Sequence, residues 1–296
     1  MSDVLLFGAT SPSGLAFLQA ADNLSVTVAG RRRPQCFAEG PFQHCDLRTA
    51  DSLEQPLEGI LVSFAPLWDL APFFARLAEQ RPGQLAGVRG VVACSSSSVI
   101  TKRFAFNRFD RDLVQRLSAS QDSLIRTCKD LGLPCTIVAP TLIYGRVGTH
   151  GDRNLSQLLQ WMRRFPFLPI PADTGLRQPI HASQLAAVVR TLVMTLVRQT
   201  DRALTSEIIA VGGDDTLTYH QLLLRLQQQC EASDRAQGCR LVSIPTWLFR
   251  VLAVPLLVVA PKGFEAVMRM QVDLAGFLPS HQLVGEDPRP FPVLPV

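Results

Sequence analysis

The stretch VLLFGATSPSGLAFLQAA, residues 4–21, decides how the rest of the chain is read. Its first four residues are apolar without alternation, as in a short strand of a sheet covered on both faces. Gly8 allows a tight turn at the strand end, and Gly14 allows a helix to pack closely on it. Pro12 suits a first helical turn, where its missing N–H costs nothing. A helix that starts this way offers free N–H groups and a positive dipole end, a combination suited to a phosphate. Gly8, Thr10, Ser11, Pro12, Ser13 and Gly14 form the candidate phosphate loop.

The same unit recurs along the chain. Residues 25–29, 42–45, 59–64, 90–94 and 134–139 read as further short apolar strands, with a helical stretch over 109–131 before the last. This alternation predicts an α/β fold with a Rossmann-type, doubly wound parallel sheet. Ligands of such sheets bind beyond the carboxyl ends of the strands. Gly8, Arg31, Asp46, Ala65, the serines Ser95 to Ser98 and Pro140 all fall at those ends. A helix over 183–197 carries one apolar stripe, and 207–211 reads as another strand. The expected division is a dinucleotide-binding domain over 1–146, to which 177–212 returns, and a smaller substrate or partner lobe from 147–176 and 213–296. Within the lobe, 155–165 is amphipathic and PFLPIP, 166–171, reads as a proline-broken connector. Thr218 to Gln221 spell a helix capping box, and 285–296 is proline-rich and extended.

The totals narrow the function. The chain has 296 residues, 47% apolar and 18% charged. That charged share is below the usual quarter, and mean hydropathy is +0.17. Part of the surface is therefore expected to be covered by a partner, a ligand or a membrane face. Net charge is +4, carried almost wholly by arginine; Lys102, Lys129 and Lys262 are the three lysines. Arginine forks suit phosphate. The absence of a dense basic helix or an aromatic-basic platform argues against nucleic acid. Seven cysteines, an odd number without CxxC spacing, predict reduced thiols in a cytoplasmic protein and no zinc site. No basic region precedes the first apolar run, so no signal peptide is expected. The apolar stretch 247–260 contains Arg250 and Pro255 and is shorter than the roughly 20 residues of a spanning helix. It reads as a core helix pair, with contact to a second copy, a partner or a membrane face as alternatives.

Several segments, in order, resemble one family. GATSPSG resembles the GATGxxG loop of the extended and atypical short-chain dehydrogenase/reductases, the NAD(P)-dependent epimerase/dehydratase-like group. Cys45-Asp46-Leu47 is similar to the GDL that contacts adenine in that family. Ser95 to Val99 resembles its SSxxVYG strand end. Gly132 to Pro134 and Ala139 to Gly145 resemble GLPxTIxRPxxIYG, which brings in Pro140 and Ile143. Arg177 to His181 resembles RxPIHV, and Asp287 to Phe291 a frequent C-terminal PRPF. The resemblance implies a Rossmann fold, a nicotinamide dinucleotide and a small-molecule substrate. It implies Gly8 to Gly14, Arg31, Arg32, Asp46, Leu47, Ala65, Ser95, Pro140 and Ile143 as dinucleotide contacts. His181 is expected to join the sheet to the lobe, and Tyr144 to be packed beside the cofactor groove.

The second strand end sets the choice of dinucleotide. A carboxylate there would bind the ribose hydroxyl of NAD, and an arginine the extra phosphate of NADP. This chain has Arg31-Arg32-Arg33 and no nearby carboxylate, which favours NADP, with Arg32 or Arg33 stacking on adenine or assisting.

The sequence departs from the family pattern at five positions. Ser11 replaces the middle glycine, setting a hydroxyl near the phosphates. Ala139 stands where arginine is usual, and Ile100 where the VYG tyrosine stands. The family's proton-donating tyrosine and the lysine four residues later are missing. Spacing back from Gly132 places them near Val114 and Ser118. Hydride transfer to a carbonyl leaves an alkoxide that must be protonated, so the resemblance supplies Ser96, with Ser97 as its rival, as the substrate-oxygen ligand and no proton donor. Two functions follow: an NADP(H)-dependent oxidoreductase or epimerase-like enzyme with a replaced donor, or a non-catalytic NADP(H)-binding regulator or accessory subunit.

Overall fold

The structure, a computed structural model, describes residues 3–49, 53, 55–101, 108–152, 154–198, 206–259 and 269–295. Eight parallel strands form its main sheet: β1 (Val4–Phe7), β2 (Val26–Gly30), β3 (Phe42–His44), β4 (Glu58–Ser63), β5 (Gly87–Cys94), β6 (Cys135–Pro140), β7 (Ser206–Gly212) and β8 (Leu278–Pro279). Their order across the sheet is β8-β7-β6-β5-β4-β1-β2-β3. The chain therefore builds outward from β1 in one direction, then crosses back to place β4 on its other side. That reversal makes β1 and β4 the topological switch point, where a crevice opens beyond the strand ends.

Side chains on β1 alternate between two cores, as the pleat requires. Leu5 and Phe7 enter one layer, with Leu61 and Val91. Val4 and Leu6 enter the other, with Ile60, Val62 and Val92. The first layer is closed by α2 (Leu67–Gln80) and α3 (Arg108–Asp130), the second by α1 (Pro12–Gln19) and α5 (Ala182–Arg198); between them in the chain lies α4 (Asn154–Arg164). Each fully buried Leu, Val or Phe contributes about 1.5–3 kcal/mol, so two-sided burial is what holds the four- to eight-residue strands at the centre of the sheet, such as β1 and β5.

A third apolar cluster lies apart, around Tyr144, Leu155, Met162, Leu222 and Phe291. It gathers α4, the following helix α6 (Tyr219–Gln228) and a parallel pair, Phe167–Pro171 with Arg240–Ile244. The predicted connector at 166–171 is thus a strand. Its prolines are tolerated because the pair has only two strands, leaving one N–H side of each strand without a ladder. Thr218 and Gln221 form the expected capping box on α6. The stretch 213–296 does not stay in this cluster: Leu278–Pro279 supply β8, and the short helix Ser280–Val284 packs beside α5.

The apolar stretch 247–260 is not a core helix pair. Its described part lies in one helix, α7 (Thr246–Val259), with Phe249 buried but Trp247 68% and Val251 58% exposed. No helix among the described residues is long and apolar enough to cross a membrane.

The tail is tied by two aspartates. Asp214 accepts from the Arg289 and His281 backbone N–H groups at 2.9 Å and from the Ser280 hydroxyl at 2.7 Å. Asp215 accepts from the Phe291 N–H, and the Tyr144 hydroxyl from the Val293 N–H, both at 2.8 Å. His181 and Phe291 each pack edge-on to the Tyr144 ring, and the His181 Nε2 lies 3.2 Å from the Pro295 carbonyl. His181 thereby ties Tyr144 of the third cluster to the tail.

Candidate functional site

A cavity of about 870 Å³ opens beyond the carboxyl ends of β1 to β4. Gly8, Thr10 and Ser11 line it from the first loop, Arg31 and Arg32 from the second strand end, Asp46 and Leu47 from the third, and Ala65 from the fourth. Gly8 has φ +75°, and a Cβ there would lie 2.5 Å from the Ala65 nitrogen. The close approach of the two loops beside the cavity needs a residue without a side chain. At Gly14 a Cβ would meet the Gly8 carbonyl oxygen at 2.3 Å, so the helix start rests directly on the turn.

Ser11 fills the role of the N-cap. Its hydroxyl donates to the Gly8 carbonyl at 2.8 Å, and its oxygen accepts the Gly14 N–H at 3.1 Å. The hydroxyl expected to face a phosphate is therefore committed to the loop itself. Pro12 opens α1, Ser13 and Gly14 are buried, and none of the three lines the cavity.

The three arginines separate. Arg33 donates to the Phe37, Ala38 and Gly40 carbonyls and lies 5.1 Å over the Phe42 ring, so it holds the turn and does not line the cavity. Arg31 and Arg32 are exposed at the rim. Arg48, His150 and Asp69 also line this space; sequence reading passed over all three. Arg48 was marked only by its place two residues after Asp46, whose Oδ1 accepts the Arg48 N–H. Arg76 steadies this loop by donating to the Leu47 and Arg48 carbonyls. His150 arrives on a hairpin that pairs His150–Gly151 with Arg146–Val147.

A second cavity, about 550 Å³, lies at the ends of β5 and β6. Ser96 and Ile143 line it, whereas Ser95 and Pro140 do not. Ser95 Oγ accepts from the buried Gln121 amide at 2.8 Å, and the Pro140 carbonyl accepts the Ser97 N–H at 2.9 Å. Ser96 donates to Ser98 Oγ at 2.9 Å and accepts the Ser98 N–H. Ser97 lines the cavity too but is 7% exposed.

Val114 and Ser118 of α3 do not reach this cavity, but a tyrosine from elsewhere does. Tyr219, the first residue of α6, lines it together with Arg177, whose guanidinium lies 5.7 Å over the Tyr219 ring. Burial pushes the phenol up to about 12, against the pull of Arg177, so the hydroxyl stays protonated at neutral pH. The capping box gave this position its local structure; nothing local marked its place some 120 residues from Ser96. Arg177 itself is 6% exposed and donates to the Leu176 and Val272 carbonyls. Lys102 lies outside the described residues. No three His, Cys, Asp or Glu residues among those described are placed to hold a metal ion.

The parallel sheet, its switch point between β1 and β4 and the glycine turn after β1 define a Rossmann-type, doubly wound α/β fold, with one cavity at the switch point and a second at the following strand ends. Solved structures share the fold over nearly the whole chain. MoeE5 in complex with UDP-glucose and NAD is 17% identical, with TM-score 0.61, covering 97% of this chain and 94% of its own. A nucleoside-diphosphate-sugar epimerase from Staphylococcus aureus is 14% identical at TM-score 0.62, covering 97% of both chains. A triphenylmethane reductase from Citrobacter sp., complexed with NADP(H), is 14% identical at TM-score 0.61, covering 98% of this chain and 97% of its own. No family model and no curated protein matches the sequence.

Proposed function

We propose that the protein binds NADP(H) at the first cavity and acts as an oxidoreductase or epimerase-like enzyme on a small molecule held in the second. The observation that carries this is the first cavity, where the Gly8 turn, the start of α1 and two rim arginines converge on the switch point. Proteins of the same fold solved in complex with NAD or NADP(H) support it. The bound dinucleotide would supply or accept a hydride. Arg31 would take the 2′-phosphate with Arg32 beside it, Asp46 and Leu47 would flank the adenine, and Ala65 would wall the pyrophosphate. Ser95 and Pro140 would act indirectly, by shaping the strand ends. Tyr219 would present a protonated hydroxyl to a substrate oxygen, and Ser96 a second once its hydroxyl turns from Ser98 Oγ, with Ile143 against the reacting ring. The division into a dinucleotide domain over 1–146 and 177–212 and a lobe over 147–176 and 213–296 belongs to this reading, as does a cytoplasmic setting for seven cysteines that form no disulfide.

A second reading, a non-catalytic NADP(H)-binding regulator or accessory subunit, is favoured by Val114 and Ser118 standing away from the second cavity. One titration tests what the two share. NADPH and NADH are added to the purified protein and to Arg31→Ala. Micromolar NADPH binding that beats NADH and weakens about tenfold or more in the variant is expected, a charge-assisted phosphate contact being worth 1.5–3 kcal/mol. Absence of binding by both nucleotides would sink the reading. Turnover across a carbonyl and sugar-nucleotide panel then separates enzyme from regulator.

A further inference from the structure

We infer that the outward face of α7 and the adjoining strand pair form a docking surface for anionic lipid headgroups, holding the protein on a membrane surface without crossing it. Trp247, Arg250, Val251 and Val254 are spaced i, i+3, i+4 and i+7, so they share one stripe of α7. All four are exposed, Trp247 by 68%, Val251 by 58% and Val254 by 55%. Leu252 beside them is 61% exposed. The stripe that should be polar in a globular protein is apolar apart from one arginine.

The strand pair that leads into α7 through Pro245 carries the same composition. Phe167 stands in register with Arg240, and Pro169 with Val242. Registered neighbours in a parallel ladder share a face, and all four are exposed. Phe165 and Arg164 precede them, also exposed. Large apolar side chains and arginines thus alternate over two neighbouring elements. This is the composition of helices that lie in the headgroup region, with an indole at the interface and guanidinium groups among lipid phosphates.

Charge selects the occupant. Arg250 is held by the neutral amide oxygen of Gln271, at 2.8 Å and 3.1 Å. Among the described residues, no carboxylate belongs to the outward stripe of α7 or to the exposed face of the strand pair; Asp173 accepts from the Thr246 hydroxyl at 3.0 Å where α7 begins. A second copy docked face to face would set Arg250 and Arg240 against their own kind, uncompensated. An anionic bilayer offers both the apolar layer and the countercharge.

The full chain is mixed with phosphatidylglycerol/phosphatidylcholine vesicles and with phosphatidylcholine vesicles, and binding is read by co-sedimentation and tryptophan emission. Binding to the anionic vesicles, a blue-shifted emission and weakening by salt are expected. The exposed double variant Trp247→Ser/Val251→Ser should reduce partitioning by about tenfold per side chain removed, with thermal melting unchanged. Arg240→Ala/Arg250→Ala should remove most of the preference for anionic lipid. Failure of the wild type to bind the anionic vesicles overturns the inference. So does a concentration-dependent dimer in sedimentation velocity that the Trp247→Ser/Val251→Ser variant dissolves, because the face would then belong to a second copy. Either result is independent of the dinucleotide titration.

Discussion

Three glycine-to-alanine variants separate the two physical demands placed on the turn that follows β1. Gly83 lies in a short 3-10 turn, and a Cβ there meets nothing within 4 Å. Its replacement should be neutral or stabilise by about 0.4–1 kcal/mol, through loss of unfolded-state freedom. Gly132 also has open space but sits at φ +66°, so alanine should cost about 1–2 kcal/mol, the left-handed backbone penalty alone. Gly8 combines φ +75° with a Cβ position 2.5 Å from the Ala65 nitrogen and 2.6 Å from the Phe64 carbonyl carbon. Both neighbours are backbone at the end of a central strand and cannot swing aside. Overpacking adds about 1–3 kcal/mol, giving a total of about 2–5 kcal/mol. Urea unfolding followed by circular dichroism reads the series directly as midpoint shifts. The expected order of loss is Gly8 largest, Gly132 intermediate, Gly83 none. A Gly8→Ala protein as stable as Gly132→Ala would refute the reasoning, since it would mean that β1 and β4 do not approach as closely as the turn requires.

Asp214 gives the chain an acid-sensitive tie. Burial works to raise its carboxyl, but hydrogen bonds from the Arg289 N–H, the Ser280 hydroxyl and the His281 backbone and ring outweigh it and hold the group below its ordinary value. The stabilisation is complete above the unfolded carboxyl value of about 3.9 and is lost as pH falls through the lower folded value. Asp214→Ala should cost about 2–4 kcal/mol at pH 7, because the buried Ser280 hydroxyl and several partly buried N–H donors lose their acceptor. In paired urea titrations the gap to wild type should close below about pH 4; a pH-independent gap would show that the charge contributes nothing. Among the thiols, Cys36 is exposed, whereas burial raises Cys94 to about 12 and encloses Cys45, Cys128, Cys135 and Cys239. Iodoacetamide at pH 8 should therefore label Cys36 first in the native protein, as read by peptide mass spectrometry, and labelling of Cys94 at an equal rate would contradict the packing at the end of β5.

The sheet was legible because each of its signals is local. An apolar run, a glycine turn and a capped helix lie within 18 residues of one another at 4–21, and the strands at 25–29, 59–64 and 134–139 each carry their own apolar run. The rim arginines were legible for the same reason, since position after a strand end nearly fixes where the side chain can reach. The lobe was not. Phe167–Pro171 becomes a strand only because Arg240–Ile244, over 70 residues later, comes to lie beside it. Two prolines in five residues argue locally for the opposite. β8 is two residues long and carries no pattern of its own. Tyr219 reads locally as the first residue of a capped helix, and only the tertiary path places it beside Ser96 and Arg177. Arg33 looked equivalent to Arg32 until the turn at 37–40 claimed its guanidinium.

Ser11 makes one hydroxyl serve both ends of a ring: it closes on the carbonyl of the turn and on the third amide of the helix. A glycine in its place would leave both groups without this partner and the helix without its cap. Ser11 therefore gives the turn a rigidity of its own. On the dinucleotide reading proposed above, a ligand would meet a surface already made, and less ordering entropy would oppose its arrival.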